Sequence, residues 1–179
     1  MEKIKVDPSK YLSQVDRVLE KIGLLLVSTN KEGASNVMTI GWGLFGILWE
    51  MDFVMVAVRP SRHTFNYIED TGEFTINVPT LDMADVLEYC GTVSGRDEDK
   101  FIKMSLDLIK GTSVSAPIIK QCCLHFECKV AYKTRLIQEG IPKEIILDRY
   151  PEGDFHTIYF GKILNVLADE DISSKMELL

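Results

Sequence analysis

The sequence predicts a mainly β fold, in which six strand-like segments form a largely antiparallel barrel and helices pack on its outside. The strand-like segments outnumber the helical ones, and several are joined by short polar turns that contain glycine. Closing the sheet into a barrel also removes the exposed edges that such apolar strands would otherwise leave. The chain has 179 residues, the length of one ordinary domain, and we expect a single domain over residues 1–179.

The first elements are a helix and a pair of strands. Apolar residues recur at helical spacing between Val15 and Ile22, after a loop that contains Asp7-Pro8. The next two strands are predicted in IGLLLVSTN and NVMTIGW, and the polar segment NKEGAS forms the turn between them.

The middle of the chain alternates strands with short helices. The near-continuous apolar run MDFVMVAV predicts a strand that is buried on both sides. A helix is predicted over Arg62–Asp70 and ends before Gly72, and a second helix over Leu81–Tyr89. The segment EFTINV between them alternates as a strand does.

Two long strands are predicted in the C-terminal half. In QCCLHFECKVAYKTRLI, period-two alternation directs one row inward (Cys122, Leu124, Phe126, Cys128, Val130 and Tyr132) and a second row outward (Cys123, His125, Glu127 and Lys129). After a turn around Gly140-Ile141-Pro142, the segment FHTIYFGKILNVLAD forms the last strand.

Composition excludes several classes of protein. Hydrophobic residues make up 46% and charged residues 26% of the chain, as in a globular protein. A formal charge of −7 argues against a broad basic surface for nucleic acid, although a locally basic pocket for an anion remains compatible with it. We find no signal peptide and no apolar window of the ~20 residues that a membrane helix needs, and expect a cytoplasmic protein with no membrane partner.

The four cysteines are expected to be reduced and not to bind a metal. No pair has C-x-x-C spacing, and on a strand Cys122 and Cys128 would lie roughly 20 Å apart. Cys123 and His125 share a face, so a weak two-ligand site is the alternative. We favour Cys122 and Cys128 in the core and no metal site.

The segment VRPSRHTF collects cations and hydroxyls in an acidic protein. Pro60 ends the preceding strand because it has no N–H, and Ser61 is then placed as the N-cap of the helix that follows. Free N–H groups at the helix start, together with Arg59, Arg62 and Thr64, are the components of a phosphate site. The alternative is a capped helix with solvated arginines.

Two further segments carry polar groups and glycines. In NVMTIGWG, Gly41 and Gly43 flank Trp42, and Asn36 and Thr39 are able to bind the polar edge of a flat ring. By itself this segment favours a bulge beside a core tryptophan. CGTVSGRDEDKF reads as a solvated loop from which Lys100 is able to supply another cation.

Taken in order, these segments resemble the flavin reductase-like family, and most closely its flavoredoxin branch. The motifs are N-x-M-T-x-x-W-G, V-R-P-S-R-x-T, E-F-T-x-N-V-P, C-G-T-x-S-G-R-D-x-D-K-F, API-I-x-x-C and G-D-x-H-T-I-Y-x-G, and they span roughly residues 10–170. The resemblance implies a six-stranded antiparallel split β-barrel that binds FMN, in a homodimer with the flavin near the subunit interface. The apolar stretch LFGILW also suggests such an interface.

The resemblance also implies roles for individual residues. The phosphate-binding segment of the family corresponds to Arg59, Ser61, Arg62 and Thr64. The strand beside the isoalloxazine corresponds to Met38, Thr39, Ile40, Gly41 and Trp42. The loop over the cofactor corresponds to Cys90, Gly91, Ser94, Gly95 and Lys100. His156 matches a histidine near the donor or acceptor side in relatives, although here Phe155 separates it from Asp154. No residue is assigned as the catalytic acid or nucleophile. A packing role for Cys90 is favoured over a redox role.

We therefore expect an FMN-dependent oxidoreductase or electron-transfer flavoprotein. Electrons would come from NAD(P)H or a protein donor and pass through bound FMN to a second acceptor. The alternatives are an NAD(P)H-dependent reductase of free flavin and a non-catalytic FMN-binding module. A barrel resembling pyridoxamine-phosphate oxidase is a third alternative, which the R-P-S-R-x-T series disfavours.

Overall fold

The computed structural model describes residues 3–177 and has a mainly antiparallel β architecture. The strands are β1 (Lys3–Lys5), β2 (Leu24–Thr29), β3 (Ser35–Ile40), β4 (Gly43–Leu48), β5 (Met51–Val58), β6 (Glu73–Val78), β7 (Leu108–Ile109), β8 (Ile118–Ile119), β9 (Leu124–Arg135) and β10 (Thr157–Asp169). The helices are α1 (Leu12–Lys21), α2 (His63–Thr71), α3 (Ala84–Thr92), α4 (Lys100–Lys103), α5 (Lys143–Arg149) and α6 (Ile172–Glu177), with short 3₁₀ turns at Pro8–Lys10, Leu81–Met83 and Gln138–Gly140.

The main sheet contains eight strands within the described residues. Its hydrogen-bonded order is β3-β2-β6-β9-β10-β5-β4, and β1 pairs with the far end of β10. The six predicted strands are all present, and β1 and β4 are additional to them. All these pairings are antiparallel, which confirms the mainly β class with peripheral helices.

The two ends of this order meet at Gly41 and Trp42. These two residues are the whole connection between β3 and β4, which lie at opposite ends of the sheet. Because consecutive Cα atoms are ~3.8 Å apart, so short a connection keeps the two strand ends within about 11 Å of each other. The sheet must therefore curl round on itself. The backbone N–H of Ala57 in β5 donates to the carbonyl of Trp42 (3.4 Å), which extends the β4–β5 pairing by one residue, and we call the connection at Gly41 and Trp42 the seam.

The core lies on both faces of the central strands. In β2, Leu24 and Leu26 belong to the cluster inside the curled sheet, while Leu25 and Val27 belong to a second cluster beneath α3. The close approach of β10 to β6 requires Gly161, because a Cβ at this position would lie 2.4 Å from Cζ of Phe74. Side chains in this region are therefore packed without spare volume.

The inward and outward rows predicted for the strand around β9 are wrong at four residues. Cys123, His125 and Glu127 were expected to face outward and are fully buried, whereas Tyr132 was expected to face inward and is 52% exposed. The reason is that the segment before β9 covers its outer face. Glu127 accepts hydrogen bonds from the backbone and hydroxyl of Thr112 and from the backbone of Ser113.

His125 is held as a neutral core residue. Its Nδ1 donates to Oδ1 of Asn77 (2.8 Å), and its Nε2 is buried without a hydrogen-bond partner. Burial lowers the pKa of His125 to about 3, with a further contribution from Lys3. Cys122 and Cys128 are fully buried, as predicted.

The helices follow the sequence closely. The helix predicted over Arg62–Asp70 is α2, shifted by one residue, and it ends at Gly72, which has a left-handed conformation (φ 67°). The helix predicted over Leu81–Tyr89 begins as a 3₁₀ turn and continues as α3. Among the described helices, none has the length and apolar character to cross a membrane.

Candidate functional site

The segment between β5 and α2 lies at the seam, but Ser61 is not the N-cap that the sequence predicts. Arg62 holds the N-cap position of α2, without a side-chain capping bond. The hydroxyl of Ser61 instead donates to Oδ2 of Asp154 (2.5 Å), and its backbone N–H reaches Oδ1 of the same carboxylate (3.3 Å). The tie between Ser61 and Asp154 joins two segments that are remote in sequence, which local capping rules do not detect.

Beside the start of α2 is a cavity of about 150 Å³, which we call the cation cavity. Its lining comes from β3, the start of α2, the end of α3 and the loop before α4: Asn36, Met38, Ser61, Arg62, His63, Thr64, Cys90, Gly91, Thr92, Val93, Ser94, Gly95, Arg96 and Lys100. Ten of the residues predicted from the sequence are among these. The cavity therefore brings together the predicted phosphate segment and the predicted covering loop.

Three cationic side chains converge on the cation cavity. Arg62 donates from Nη1 to the carbonyl of Gly91 (3.3 Å), and Arg96 donates from Nη1 to the carbonyl of Ser61 (3.0 Å). Because each guanidinium carries five N–H donors, these single bonds leave further donors for an anion. The positive charge is also felt by His63, whose pKa is lowered by burial and then by Arg96 and Lys100.

Lys100 is a buried cation, with 3% of its surface exposed. Its ammonium donates to the carbonyls of Cys90 (3.1 Å) and Val93 (3.2 Å). Burial lowers the pKa of Lys100, and the charge on Arg62 lowers it further. Burial also raises the pKa of the Cys90 thiol to about 11, which keeps it protonated at neutral pH and unreactive as a nucleophile.

One end of the cation cavity is closed by Asn36 and Gly95. The amide Nδ2 of Asn36 donates to the hydroxyl of Thr64 (2.6 Å), and both side chains are buried. A Cβ on Gly95 would lie 2.0 Å from Oδ1 of Asn36, so only glycine fits here. The polar end of Asn36 is thus fixed against the loop.

A second cavity of about 150 Å³ adjoins the first and shares Met38 and Arg62 with it. We call it the Trp42 cavity. Its lining comes from the end of β3, the end of β5 and the start of β10: Met38, Thr39, Ile40, Gly41, Trp42, Ala57, Arg59, Arg62 and His156. The hydroxyl of Thr39 donates to the carbonyl of Leu87, which ties β3 to α3.

Trp42 and His156 form one wall of the Trp42 cavity. Their ring centroids are 4.6 Å apart, and 42% of the Trp42 surface is exposed, whereas His156 is buried. Nδ1 of His156 is hydrogen-bonded to the hydroxyl of Tyr150 (2.8 Å). Burial lowers the pKa of His156 to about 4, and the charges of Arg59 and Arg62 oppose protonation further although Asp154 favours it. The imidazole is therefore neutral at pH 7.

Arg59 is placed apart from the other predicted phosphate ligands. Its guanidinium donates to the carbonyls of Arg149 (2.7 Å) and Asp154 (3.2 Å) and lies 4.9 Å from the ring centroid of Tyr150. It lines the Trp42 cavity and not the cation cavity. Arg59 thus holds the turn that carries Tyr150 and His156.

Sequence reasoning missed three residues of this region: His63, Arg96 and Tyr150. His63 and Arg96 stand inside two of the quoted motifs, VRPSRHTF and CGTVSGRDEDKF, and their proximity to the chosen residues was a usable signal. Tyr150 carries no such signal, because its contact with His156 depends on how residues 149–154 fold back.

Comparison with known proteins identifies the family. Residues 21–179 match the flavin reductase like domain. The chain belongs to the flavin reductase-like family. This family membership confirms the resemblance predicted from the sequence. Over 131 residues the chain is 34% identical to an uncharacterised protein of Archaeoglobus fulgidus, an alignment that covers 73% of this chain and 64% of that protein. The chain thus spans less than two thirds of that relative's length.

Solved structures share the fold. Flavoredoxin of Desulfovibrio vulgaris has a TM-score of 0.67 at 24% identity, covering 84% of this chain and 71% of that one. An FMN-binding domain of a flavin reductase-like enzyme from Shewanella baltica has a TM-score of 0.65 at 21% identity, covering 94% and 78%. A protein of Shewanella frigidimarina described as having a split barrel domain has a TM-score of 0.67 at 18% identity, covering 89% and 74%. These likenesses confirm the split-barrel fold of this flavin reductase-like protein.

Proposed function

We propose that this flavin reductase-like protein is a cytoplasmic FMN-dependent oxidoreductase, with the FMN phosphate in the cation cavity and the isoalloxazine ring beside the Trp42 cavity. The observation that carries the proposal is that the two cavities adjoin. One is lined by cations, hydroxyls and backbone N–H groups, and the other by a strand and an aromatic side chain. FMN has a doubly anionic end and a flat, largely apolar end, and needs both environments at once.

The donors of the cation cavity fit a phosphate monoester. Arg62, Arg96 and Lys100 supply charge, and the hydroxyl of Ser94 and the first N–H groups of α2 supply neutral donors. Nδ1 of His63 is buried without a partner in this cavity, which leaves one polar atom for a ligand to satisfy. Arg59 is not needed here. We assign it to the turn at residues 149–154 instead.

The Trp42 cavity fits the ring. The end of β3 offers backbone groups and the apolar side chain of Met38, and Gly41 has no heavy atom within 4 Å of the position that a Cβ would occupy. A flat ring is therefore able to approach the backbone closely at Gly41. Trp42 and His156 then exclude water from one side.

Bound FMN would supply the redox chemistry, accepting two electrons from a donor and giving them to an acceptor. The protein's residues bind and orient it. His156, being neutral with Nδ1 occupied by Tyr150, offers one remaining ring nitrogen, Nε2, for a hydrogen bond to a polar atom. We propose that the electrons come from NAD(P)H or a protein donor and pass to a second acceptor.

The test is anaerobic reduction of the purified protein loaded with FMN. We expect the visible absorbance band of the bound flavin to bleach on mixing with NADH or NADPH and to recover on adding an electron acceptor. Bleaching only with a reduced carrier protein would favour the protein donor. Protein that binds FMN but is bleached by neither the nicotinamides nor the carrier protein would be a non-catalytic FMN-binding module. Protein that loses its flavin on dialysis but reduces added flavin would be a free-flavin reductase.

We further propose that the protein is a homodimer joined through β4. Leu44, Ile47 and Trp49 are 65%, 71% and 59% exposed, and β4 is a terminal strand of the sheet order. Leu44 and Ile47, together with Phe53, Met55 and Phe160, line an apolar depression of about 370 Å³. So much exposed apolar surface on the terminal strand of a sheet is typical of an interface with a second copy.

A further inference from the structure

The ring of Tyr150 is held between two neighbours in the turn before β10. Only 4% of its surface is exposed. Its centroid lies 4.8 Å from that of Phe155, with 30° between the two ring planes, and 4.9 Å from the guanidinium carbon of Arg59. Phe155 is the residue that separates Asp154 from His156 in the sequence. These contacts leave Tyr150 little freedom to change its orientation.

The hydroxyl of Tyr150 has a single hydrogen-bond partner within residues 3–177, which is Nδ1 of His156 (2.8 Å). A buried O–H group needs an acceptor. If Nδ1 carried a proton, the hydroxyl would have to accept, and its own hydrogen would be left without a partner. Burial raises the pKa of Tyr150, so the hydroxyl keeps its proton at neutral pH. Tyr150 is therefore the donor, and Nδ1 is the acceptor.

The proton of the neutral His156 ring then belongs on Nε2, because a neutral imidazole has one donor and one acceptor nitrogen. His156 lines the Trp42 cavity, and its Nε2 makes no hydrogen bond to the part of the chain that the structure describes. The charged residues of the same lining, Arg59 and Arg62, have donors only. The Nε2–H group is thus left for a ligand that brings its own acceptor.

His125 shows the opposite arrangement. Its Nδ1 is bonded to Oδ1 of Asn77, and that oxygen also accepts from the backbone N–H of Ile119 (2.9 Å). The amide nitrogen of Asn77 donates to the carbonyl of Leu25 (3.3 Å), so the orientation of the amide is fixed. His125 must therefore carry its proton on Nδ1. The two buried histidines are expected to be opposite tautomers, each set by its partner on Nδ1.

We propose that Tyr150 is a positioning residue, which holds His156 with its proton on Nε2 and so presents a hydrogen-bond donor to a carbonyl oxygen of the flavin ring. This inference rests on the proposed function. Tyr150 does not itself line the Trp42 cavity and acts through His156. The carbonyl oxygens of the isoalloxazine become more electron-rich on reduction, so a fixed donor to one of them favours reduced over oxidised flavin.

The first test is heteronuclear magnetic resonance of the imidazole nitrogens in the full chain without flavin, at neutral pH. Protonated and unprotonated ring nitrogens resonate far apart, and a His156→Gln variant assigns the signals. We expect His156 to have a protonated Nε2 and an unprotonated Nδ1, and His125 to show the reverse within the same spectrum. A protonated Nδ1 on His156 would overturn the proposal.

Tyr150→Phe tests whether the hydroxyl is responsible. This variant keeps the ring between Phe155 and Arg59 and removes only the donor. The Nε2 signal of His156 should move toward the position of an unprotonated nitrogen, because both tautomers become populated. Tyr132→Phe is the matched control: it removes the hydroxyl of a half-exposed tyrosine of β9 whose ring packs on Phe160, and it should leave the signal in place. An unmoved signal in Tyr150→Phe would overturn the positioning role.

The effect on the cofactor is measured as the midpoint potential of the FMN-loaded protein. Tyr150→Phe should reduce the preference for reduced over oxidised FMN about threefold, which corresponds to a potential lower by about 14 mV for a two-electron couple. Tyr132→Phe should retain the potential of the unmodified protein. A potential that Tyr150→Phe leaves unchanged would overturn the contact between this donor and the flavin.

Failure of this inference and failure of the proposed function give different results. The imidazole spectra require no flavin, so the wrong tautomer in protein that binds and reduces FMN overturns the role of Tyr150 alone. Folded protein that shows the expected tautomers but binds no FMN overturns the proposed function, and with it the role of the His156 donor toward a flavin.

Discussion

The hydroxyl of Tyr150 lies 2.8 Å from Nδ1 of His156, and both side chains are buried beside the Trp42 cavity. Arg59 secures this pair by binding the carbonyls of Arg149 and Asp154. The neutral state of His156 is thus a product of burial and of nearby cations, and its ring is positioned by a hydrogen bond with a residue that the sequence motifs do not include.

His156 is expected to titrate with a pKa of about 4, well below the 6.5 of an exposed histidine. The causes are burial and the charge of Arg59. Nuclear magnetic resonance of the imidazole carbons across pH 3–8 would measure it, with the signal assigned by a His156→Gln variant. A midpoint near 6.5 would contradict the buried, cation-flanked environment.

Arg62→Ala and Arg96→Ala are each expected to weaken FMN binding by about 1.5–3 kcal/mol, the range for a hydrogen bond to a charged group. Arg59→Ala should cost less, because its guanidinium is engaged by the turn at residues 149–154. Isothermal titration with FMN compares the three variants. If Arg59→Ala weakened FMN binding most, the phosphate would lie in the Trp42 cavity, which Arg59 lines together with Arg62.

Stability is expected to fall in acid because His125 is buried in its neutral form. Its folded pKa of about 3 is below its unfolded value of 6.5, so the unfolded state binds the proton first as the pH falls. The contribution of His125 is complete above pH 6.5 and is lost progressively toward pH 3, by up to about 1.4 kcal/mol per pH unit.

Urea denaturation at a series of pH values measures this loss. A His125→Gln variant should show a shallower dependence of unfolding free energy on pH between 6.5 and 3. His156 contributes in the same direction over a narrower range, which ends near pH 4. Identical slopes for the variant and the unmodified protein would exclude His125 as the source.

Gly161→Ala is expected to destabilise the fold by about 1–3 kcal/mol, the usual cost of overpacking a core. The added Cβ would lie 2.4 Å from Cζ of the buried Phe74. Gly46→Ala is the matched control, since the same atom at Gly46 meets nothing within 4 Å. Thermal unfolding should separate the two variants, and equal midpoints would mean that Phe74 moves aside freely.

Ile47→Asp is expected to convert the proposed dimer into a monomer, because it places a charge at the centre of the exposed apolar face of β4. Sedimentation velocity at micromolar concentration measures this. Ile102→Asp is a control, as Ile102 is 78% exposed but lies on α4, away from β4. An unmodified protein that sediments as a monomer would refute the interface.

Much of the fold follows from periodicity. Strongly apolar runs such as MDFVMVAV were identified because a strand buried on both faces leaves a continuous signal, and Gly72 marks the end of α2 for conformational reasons. The edge strand β4 was not predicted, because its exposed apolar residues and two glycines follow no clear alternation. The burial of His125 was also missed, since it depends on a covering segment that contacts β9 only in three dimensions.

The candidate site was predicted as a set of segments, and the structure places ten of its residues around one cavity. What the sequence does not indicate is which cations face the same space. Arg59 and Arg62 are three residues apart, yet one binds backbone carbonyls of a distant turn and the other faces the cation cavity. The hydroxyl of Ser61 likewise donates to Asp154, 93 residues away, and does not cap the helix beside it.

The seam at Gly41 and Trp42 has a consequence for local opening of the sheet. Strands β6, β9 and β10 are paired on both sides, whereas within residues 3–177 the outer edge of β3 has no strand neighbour. Backbone amides along that edge should exchange with deuterium sooner than those of the central strands. Slower exchange at this edge after flavin is added would mean that the bound coenzyme covers the edge of β3 and completes the barrel wall.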